Sequence, residues 1–323
     1  MSVQTETVTV KQISLVDSKA VKRQKMLKSA LKNYQLYLFI LPSLVYIIVF
    51  CYWPMYGVQM AFRNFVPSKG IWGSTWVGLD HLVRFFGSYY FERTMGNTIY
   101  IALYSLIAGF PFPILLALML NEVKNQRYKK IVQTVTYAPN FISTIVMVGM
   151  LYIFLDPSSG MINTLIKAIG IEPLQFMSRP ELFTHLCVWS GIWQSTGFAS
   201  VIYFAALSSV DLELHEAATI DGANRIQRMW YINVPVLIPI ATILLILSAG
   251  SIMSVSFEKT FLMQNTLNLE ASEVIATYVY KVGLLNAEYS FSSAVGLFNS
   301  VINAIMLILV NTFARKLSDT SLW

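Results

Sequence analysis

The chain has 323 residues, of which 12% are charged and 55% hydrophobic, including 7 Trp, 17 Tyr and 20 Phe. An ordinary soluble domain is about a quarter charged, so this chain lacks the charges to cover a water-facing surface, and it is too apolar to stay solvated as a disordered chain. Cys51 and Cys187, both inside apolar runs, cannot staple a scaffold and read as small hydrophobes. The net charge of +6 does not indicate a nucleic-acid binder, because the basic residues lie in short segments between hydrophobic stretches rather than on one face. The composition places the chain in a lipid bilayer.

In chain order, residues 1–35 carry Lys19, Lys22, Arg23, Lys25, Lys28 and Lys32, with Leu27, Leu31 and Tyr34 at helical spacing. This is the pattern of a basic amphipathic segment on anionic headgroups. The apolar run that follows is too long for a signal peptide and is not followed by a small-residue cleavage site. A helix needs about 20 apolar residues to cross a core roughly 30 Å thick. Six windows qualify: 36–58, 97–121, 136–155, 185–207, 236–257 and 289–313, in which His185 is the one ionisable Asp, Glu, Lys, Arg or His. They are apolar on nearly every face, unlike amphipathic soluble helices, and their prolines at 42, 54, 111, 113, 139 and 239 are tolerable as kinks in a membrane bundle. Placing 1–35, 122–135, 208–235 and 314–323 on one side gathers 15 of the 23 Lys and Arg there, which makes that side cytoplasmic. The expected fold class is an all-α integral membrane protein with six transmembrane helices and both termini cytoplasmic.

The segment from Asp211 to Pro239 differs from the other loops and reads as two short helices. The first starts near Asp211, whose carboxylate suits a helix N-terminus, runs through Glu213, Leu214, Glu216, Ala217 and Ala218, and closes at Gly222. The second is expected over 224–233, stopping before Pro235.

Glu216-Ala217-Ala218, Asp221-Gly222-Ala223, Ile232 and Val234-Pro235 resemble the EAA loop of the membrane-spanning permeases of binding-protein-dependent ABC importers. Met229 stands where the sugar-type pattern usually has Phe, and Val234 where Leu is usual; both keep an apolar side chain. The resemblance extends over about 93–313, with Asn97-Thr98 where such cores commonly begin. Leu41-Pro42, Tyr52-Trp53-Pro54 and Ala61-Phe62 look most like the subgroup importing complex oligo- or polysaccharides, and within it one subunit of an alginate-type importer. The implied organisation is an N-terminal segment 1–35, a first span and external loop 36–92, a five-helix permease core 93–313 containing the coupling loop 208–235, and a tail 314–323.

The resemblance implies that the first loop helix, with Glu216, Ala217, Ala218, Asp221, Gly222 and Ala223, docks on a separate ATPase. The implied partners are a second permease forming a heterodimer, two ATPase subunits, an extracytoplasmic solute-binding protein and membrane lipid, with no nucleic acid, in the cytoplasmic membrane of a bacterium. The chain itself has no phosphate-cradling Gly-x-x-x-x-Gly-Lys-Ser/Thr loop, so it carries no cofactor and no catalytic residue, and ATP and Mg belong to the partner ATPase. His215 stands beside the motif with no metal-ligand spacing to His81 or His185. Two other classes compete: an ion-coupled secondary transporter, which would normally hold acidic or His side chains at membrane depth, and a non-transporting membrane assembly subunit.

A polar path distinguishes a transporter from an anchor. The sixth window carries Ser292, Gly296, Asn299 and Asn303 on one stripe, the fifth Ser248, Ser251 and Ser254 with Glu258 following, and the fourth Trp189, Trp193, Gly197 and Ser200 with Gln194 alongside. Such stripes either pack helices closely or line a wet conduit. Rings and amides suit a sugar, whose C–H faces stack and whose hydroxyls need partners. Trp193, Gln194, Asn299 and Asn303 are therefore the expected substrate-pathway residues, with Glu258 at the outer mouth and Asn140 beside Pro139 as a further candidate. Trp72, Trp76, Tyr89, Tyr90 and Phe176 in the external loops are expected to form an interfacial belt or to receive the binding protein.

Overall fold

The structure is a computed structural model that describes residues 32–317; nearly all of the basic segment expected over 1–35 lies outside the described residues, as does the end of the tail. The chain divides into two compact units, residues 1–59 and 60–323. In the first, the helix Tyr34–Ile47 contains Pro42, passes through a π-helical turn at Ile48–Tyr52 and buries none of its residues. A helix apolar on every side is a helix for lipid.

Four described helices are long and apolar enough to cross a membrane: Tyr34–Phe62, Tyr89–Glu122, Arg225–Gly250 and Tyr289–Lys316. Two bent pairs raise this to six if each counts as one span: Gln126–Phe141 with Thr144–Phe154, bent by 101°, and Pro180–Leu207 with Leu212–Ile220, bent by 74°. The window 136–155 is thus not one straight helix. Pro139 sits in a 3-10 turn, Ala138–Phe141, after which Ile142 and Ser143 are extended, and the Ser143 hydroxyl accepts from the Val146 N–H to start a new helix. That helix, Thr144–Phe154, has 11 residues. At 1.5 Å per residue it is about half a bilayer core in length.

The fifth window differs at both ends. The second loop helix does not stop before Pro235; it begins at Arg225 and continues to Gly250, because a π-helical turn at Met229–Asn233 lets the chain enter Val234–Gly250 with Pro235 in the first turn, where no N–H is needed. The helix then ends at Gly250, and residues 251–256 are turn and irregular. Ser251, Ser254 and Glu258 therefore do not continue the helical stripe of Ser248.

The connection after Phe62 adds a small β element to the all-α expectation. Arg63–Val66 pairs antiparallel with Ser74–Trp76, Arg63 opposite Trp76. The Arg63 guanidinium donates to the Ser74 carbonyl and lies over the Trp72 and Trp76 rings. The Phe65 N–H donates to the Ser290 hydroxyl at 2.8 Å, and Phe85, fully buried, stacks among Phe91, Tyr278, Phe291 and Phe298. Arg84 pairs with Glu288, whose hydrogen bond pushes the guanidinium further up, so ribbon and aromatic cluster together fasten this connection to the Tyr289–Leu317 helix. After the third window, Asp156 takes hydrogen bonds from Ser158 and Ser159, which hold its carboxyl at about 2.

Asn97 and Thr98 anchor the first core helix. Asn97 Nδ2 donates to the Glu270 and Glu273 carbonyls, and the Thr98 hydroxyl accepts from the Ile275 N–H. Glu273, 3% exposed, is held between Arg93 and Lys281, and burial pulls the Lys281 ammonium down. The tightest crossing lies at Gly197 on Pro180–Leu207, where an added Cβ would run into the backbone of Thr136 and Tyr137. Backbone cannot move aside cheaply, so Gly197→Ala should lower stability by about 1–3 kcal/mol or more. Nothing lies within 4 Å of a Cβ placed at Gly96, and Gly96→Ala should instead gain about 0.5–1 kcal/mol of helix stability. Thermal unfolding of the two purified variants in detergent distinguishes them.

Candidate functional site

The loop 208–235 is built as a stiff double turn. Asp211 caps the helix Leu212–Ile220, its carboxylate accepting from the Glu213 N–H. At the other end Gly222 has φ +84°, the Gly222 N–H donates to the Thr219 carbonyl and the Ala223 N–H to the Ala218 carbonyl. These two bonds form a Schellman closure, which needs a left-handed residue and so needs glycine. Asn224 follows at once with a capping box, its side chain accepting from the Gln227 N–H while Gln227 returns a bond to the Asn224 N–H. The Arg228 guanidinium donates to the Thr219 hydroxyl, tying the second helix to the first.

This stiff helix packs on little. Glu216, Ala217, Asp221 and Gly222 are exposed, Ala218 and Ala223 half-buried, and Leu212, Leu214 and Ile220 present apolar side chains that are 72%, 56% and 86% exposed. His215 is half-buried rather than exposed. The helix offers an uncovered apolar surface bordered by carboxylates.

A second feature lies among the long helices. A cavity of about 600 Å³ is walled by Tyr89–Glu122, Pro180–Leu207, Arg225–Gly250 and the irregular 251–256 segment with Lys259. Its polar wall includes Ser105, Thr144, Gln194, Ser195, Tyr203, Ser248, Ser251, Ser254 and Ser256, and Lys259 is its one charged residue. The break after Gly250 shapes this wall. Asn303 reaches across from the last helix, Oδ1 accepting from the Met253 N–H at 2.9 Å and Nδ2 donating to the Ser254 hydroxyl at 3.1 Å.

The expected pathway residues do not converge on one place. Gln194 lines the cavity, but its Nε2 donates to the Ile142 carbonyl at the 101° bend, so it also closes a backbone break. Asn303 caps the 251–254 turn and is not part of the cavity wall. Asn299 is half-buried on the same helix, its Oδ1 unpartnered among the described residues. Trp193 is half-exposed and lines a separate, largely apolar groove of about 570 Å³ with Trp189, His185 and Phe176. Asn140 lies in the turn after Pro139, and Glu258 is exposed beside the break. The fourth-window stripe is split, with Gly197 and Ser200 buried and Trp189 and Trp193 outward.

Lys259 was missed because it falls just past the fifth window; the signal was a lone Lys in the run 252–263, whose one other charged residue is Glu258. Two buried amides were also missed. Asn268 donates to the Met177 and Met263 carbonyls and accepts from the Asn265 N–H and the Ser272 hydroxyl, and Asn163 binds the Leu155, Asp156 and Leu174 backbone. No spacing rule marks an Asn that satisfies remote backbone. Asn268→Ala should lower stability by about 1–3 kcal/mol for each buried group it strands, seen as an earlier melting transition of the purified protein.

Long apolar helices broken by satisfied turns, a polar cavity among them and a stiff loop with an uncovered apolar face define a multi-pass membrane permease. Residues 109–319 match the family of the binding-protein-dependent transport system inner membrane component, and the chain belongs to that family. It is 40% identical over 288 residues to Protein LplB of Bacillus subtilis, covering 89% of this chain and 91% of that one. It is 38% identical over 311 residues to the polygalacturonan/rhamnogalacturonan transport system permease protein YteP of the same organism, covering 96% and 97%. Among solved structures it resembles a chain of a bacterial alginate ABC transporter in complex with an alginate pentasaccharide-bound periplasmic protein, with a TM-score of 0.84 and 37% identity, over 91% of this chain and 99% of that one.

Proposed function

We propose that this chain is the transmembrane subunit of an ATP-driven importer in a bacterial cytoplasmic membrane, with both termini cytoplasmic, forming half of the path for an oligo- or polysaccharide of the alginate type. It pairs with a second, different permease and with two ATPase subunits that supply the ATP and Mg chemistry, and it receives its solute from an extracytoplasmic binding protein. The relatives that transport polygalacturonan/rhamnogalacturonan and alginate support the substrate class.

The observation that carries the coupling role is the set of exposed apolar side chains, Leu212, Leu214 and Ile220, on a helix capped at both ends. Leu212, Leu214 and Ile220 would be buried in a groove of the ATPase while Glu216 and Asp221 set register, since apolar contact supplies affinity and charge supplies orientation. The stiff Gly222–Asn224 junction would carry ATPase closure into Pro180–Leu207 and Arg225–Gly250 as near-rigid bodies.

The test replaces Gly222 by Pro, or Glu216 and Asp221 together by Lys, in the complex reconstituted with its ATPases and binding protein. Uptake and binding-protein-stimulated ATP turnover should fall to background while membrane insertion is retained. Stimulated turnover at the wild-type level in both variants would remove the loop from the mechanism.

A further inference from the structure

Lys259 is 7% exposed, yet it lines the cavity and is the one charged residue in its wall. Among the described residues its ammonium donates one hydrogen bond, to the Cys187 carbonyl, and enters no ion pair. Glu258, the next residue back, is exposed and does not contribute to the wall. An ammonium has three donors, so two remain for whatever enters the cavity. A cation removed from water without a counter-charge is costly, and a cavity holding one favours an anion.

Two further features shape the place. A Cβ added at Gly191, which shares the wall, would stand 3.1 Å from Lys259 Nζ, so the absence of a side chain there gives the ammonium its room. The neighbouring hydroxyls are acceptor-rich: Ser248 and Ser251 spend their protons on backbone carbonyls one turn back, which leaves their oxygens free to receive hydrogen bonds. The wall thus offers one positive charge with spare donors and, in the same cavity, oxygens that accept. Its complement is a hydroxyl-rich solute bearing one anionic group per recognised unit, as in a uronate residue.

We propose that Lys259 is the carboxylate-reading residue of the cavity, pairing with the uronate group of an acidic saccharide in transit and selecting it over a neutral saccharide of the same shape. The proposal rests on the saccharide-import reading above and deepens it. Cys187 and Gly191 position the ammonium through carbonyl and space; Lys259 contacts the solute.

The experiment uses the complete permease–ATPase complex in lipid nanodiscs without binding protein, so that selectivity belongs to the membrane path. Equilibrium binding is measured for a labelled uronate oligosaccharide and for its carboxyl-reduced, neutral counterpart. The wild type should prefer the uronate by about tenfold, the worth of one charge-assisted hydrogen bond. Lys259→Gln should erase the preference without weakening the neutral ligand, and Lys259→Arg should retain most of it. Should Lys259→Gln fail to assemble, Gly191→Ala decides, since it keeps the charge but crowds Nζ and should reduce the preference several-fold. Equal binding of both ligands by the wild type, no detectable uronate binding, or a preference that survives in the assembled variant would overturn the proposal. The import reading is checked separately in proteoliposomes with binding protein: absence of ATP-driven uptake of any saccharide defeats that reading, whereas uptake with Lys259-independent selectivity defeats this inference alone.

Discussion

Where a helix breaks inside an apolar bundle, no water is present to take its freed N–H and C=O groups, and side chains from elsewhere in the chain must do so. That requirement organises this protein. Asn303 takes the Met253 N–H at the break after Gly250, Gln194 takes the Ile142 carbonyl at the 101° bend, Thr98 takes the Ile275 N–H, and Asn268 takes the carbonyls of Met177 and Met263. Apart from the Asn268–Met263 bond, each joins segments distant in sequence, so the polar residues that permit irregular backbone also hold the bundle together. The cavity follows from the same breaks, because a wall made of turn rather than helix brings Ser251, Ser254 and Ser256 into one cavity lining with Lys259.

The loop after Pro180–Leu207 solves a different problem. It lies between two long helices, and in the proposed coupling role its value as a lever would depend on having no slack. A Schellman closure, an adjacent capping box and the Arg228–Thr219 bond leave no free residue between Leu212–Ile220 and the start of the next helix at Arg225. The π-helical turn at Met229–Asn233 then carries the chain past Pro235 without ending the helix. Stiffness is local, while the apolar face remains uncovered, which is the combination a docking helix requires.

The parts legible in the sequence are those governed by local rules. Asp211, Gly222 and Asn224 could be placed because capping and left-handed turns depend on residues within four positions of each other. Apolar windows located the long helices but not their interruptions: a window average cannot see that Ser143 restarts a helix or that a π-helical turn absorbs Pro235. The amides are recognisable as important, but their backbone partners are not readable from spacing. Gln194 and Asn303 are spaced like pathway residues, yet they spend hydrogen bonds on backbone 52 and 50 residues away, a demand set by tertiary structure alone. Lys259 fell outside every window because its burial is produced by a break that no window reports.

The central claim is that the Leu214 and Ile220 side chains are uncovered in this chain and covered in the working transporter. Single cysteines at those positions, in a background lacking Cys51 and Cys187, can be labelled with a membrane-permeant thiol reagent in the chain alone and in the ATPase-bound assembly. Fast labelling of the chain alone and strong protection in the assembly, with cross-links to the ATPase, is the expected result. Equally fast labelling in both, in an assembly that still imports its solute, would contradict the account.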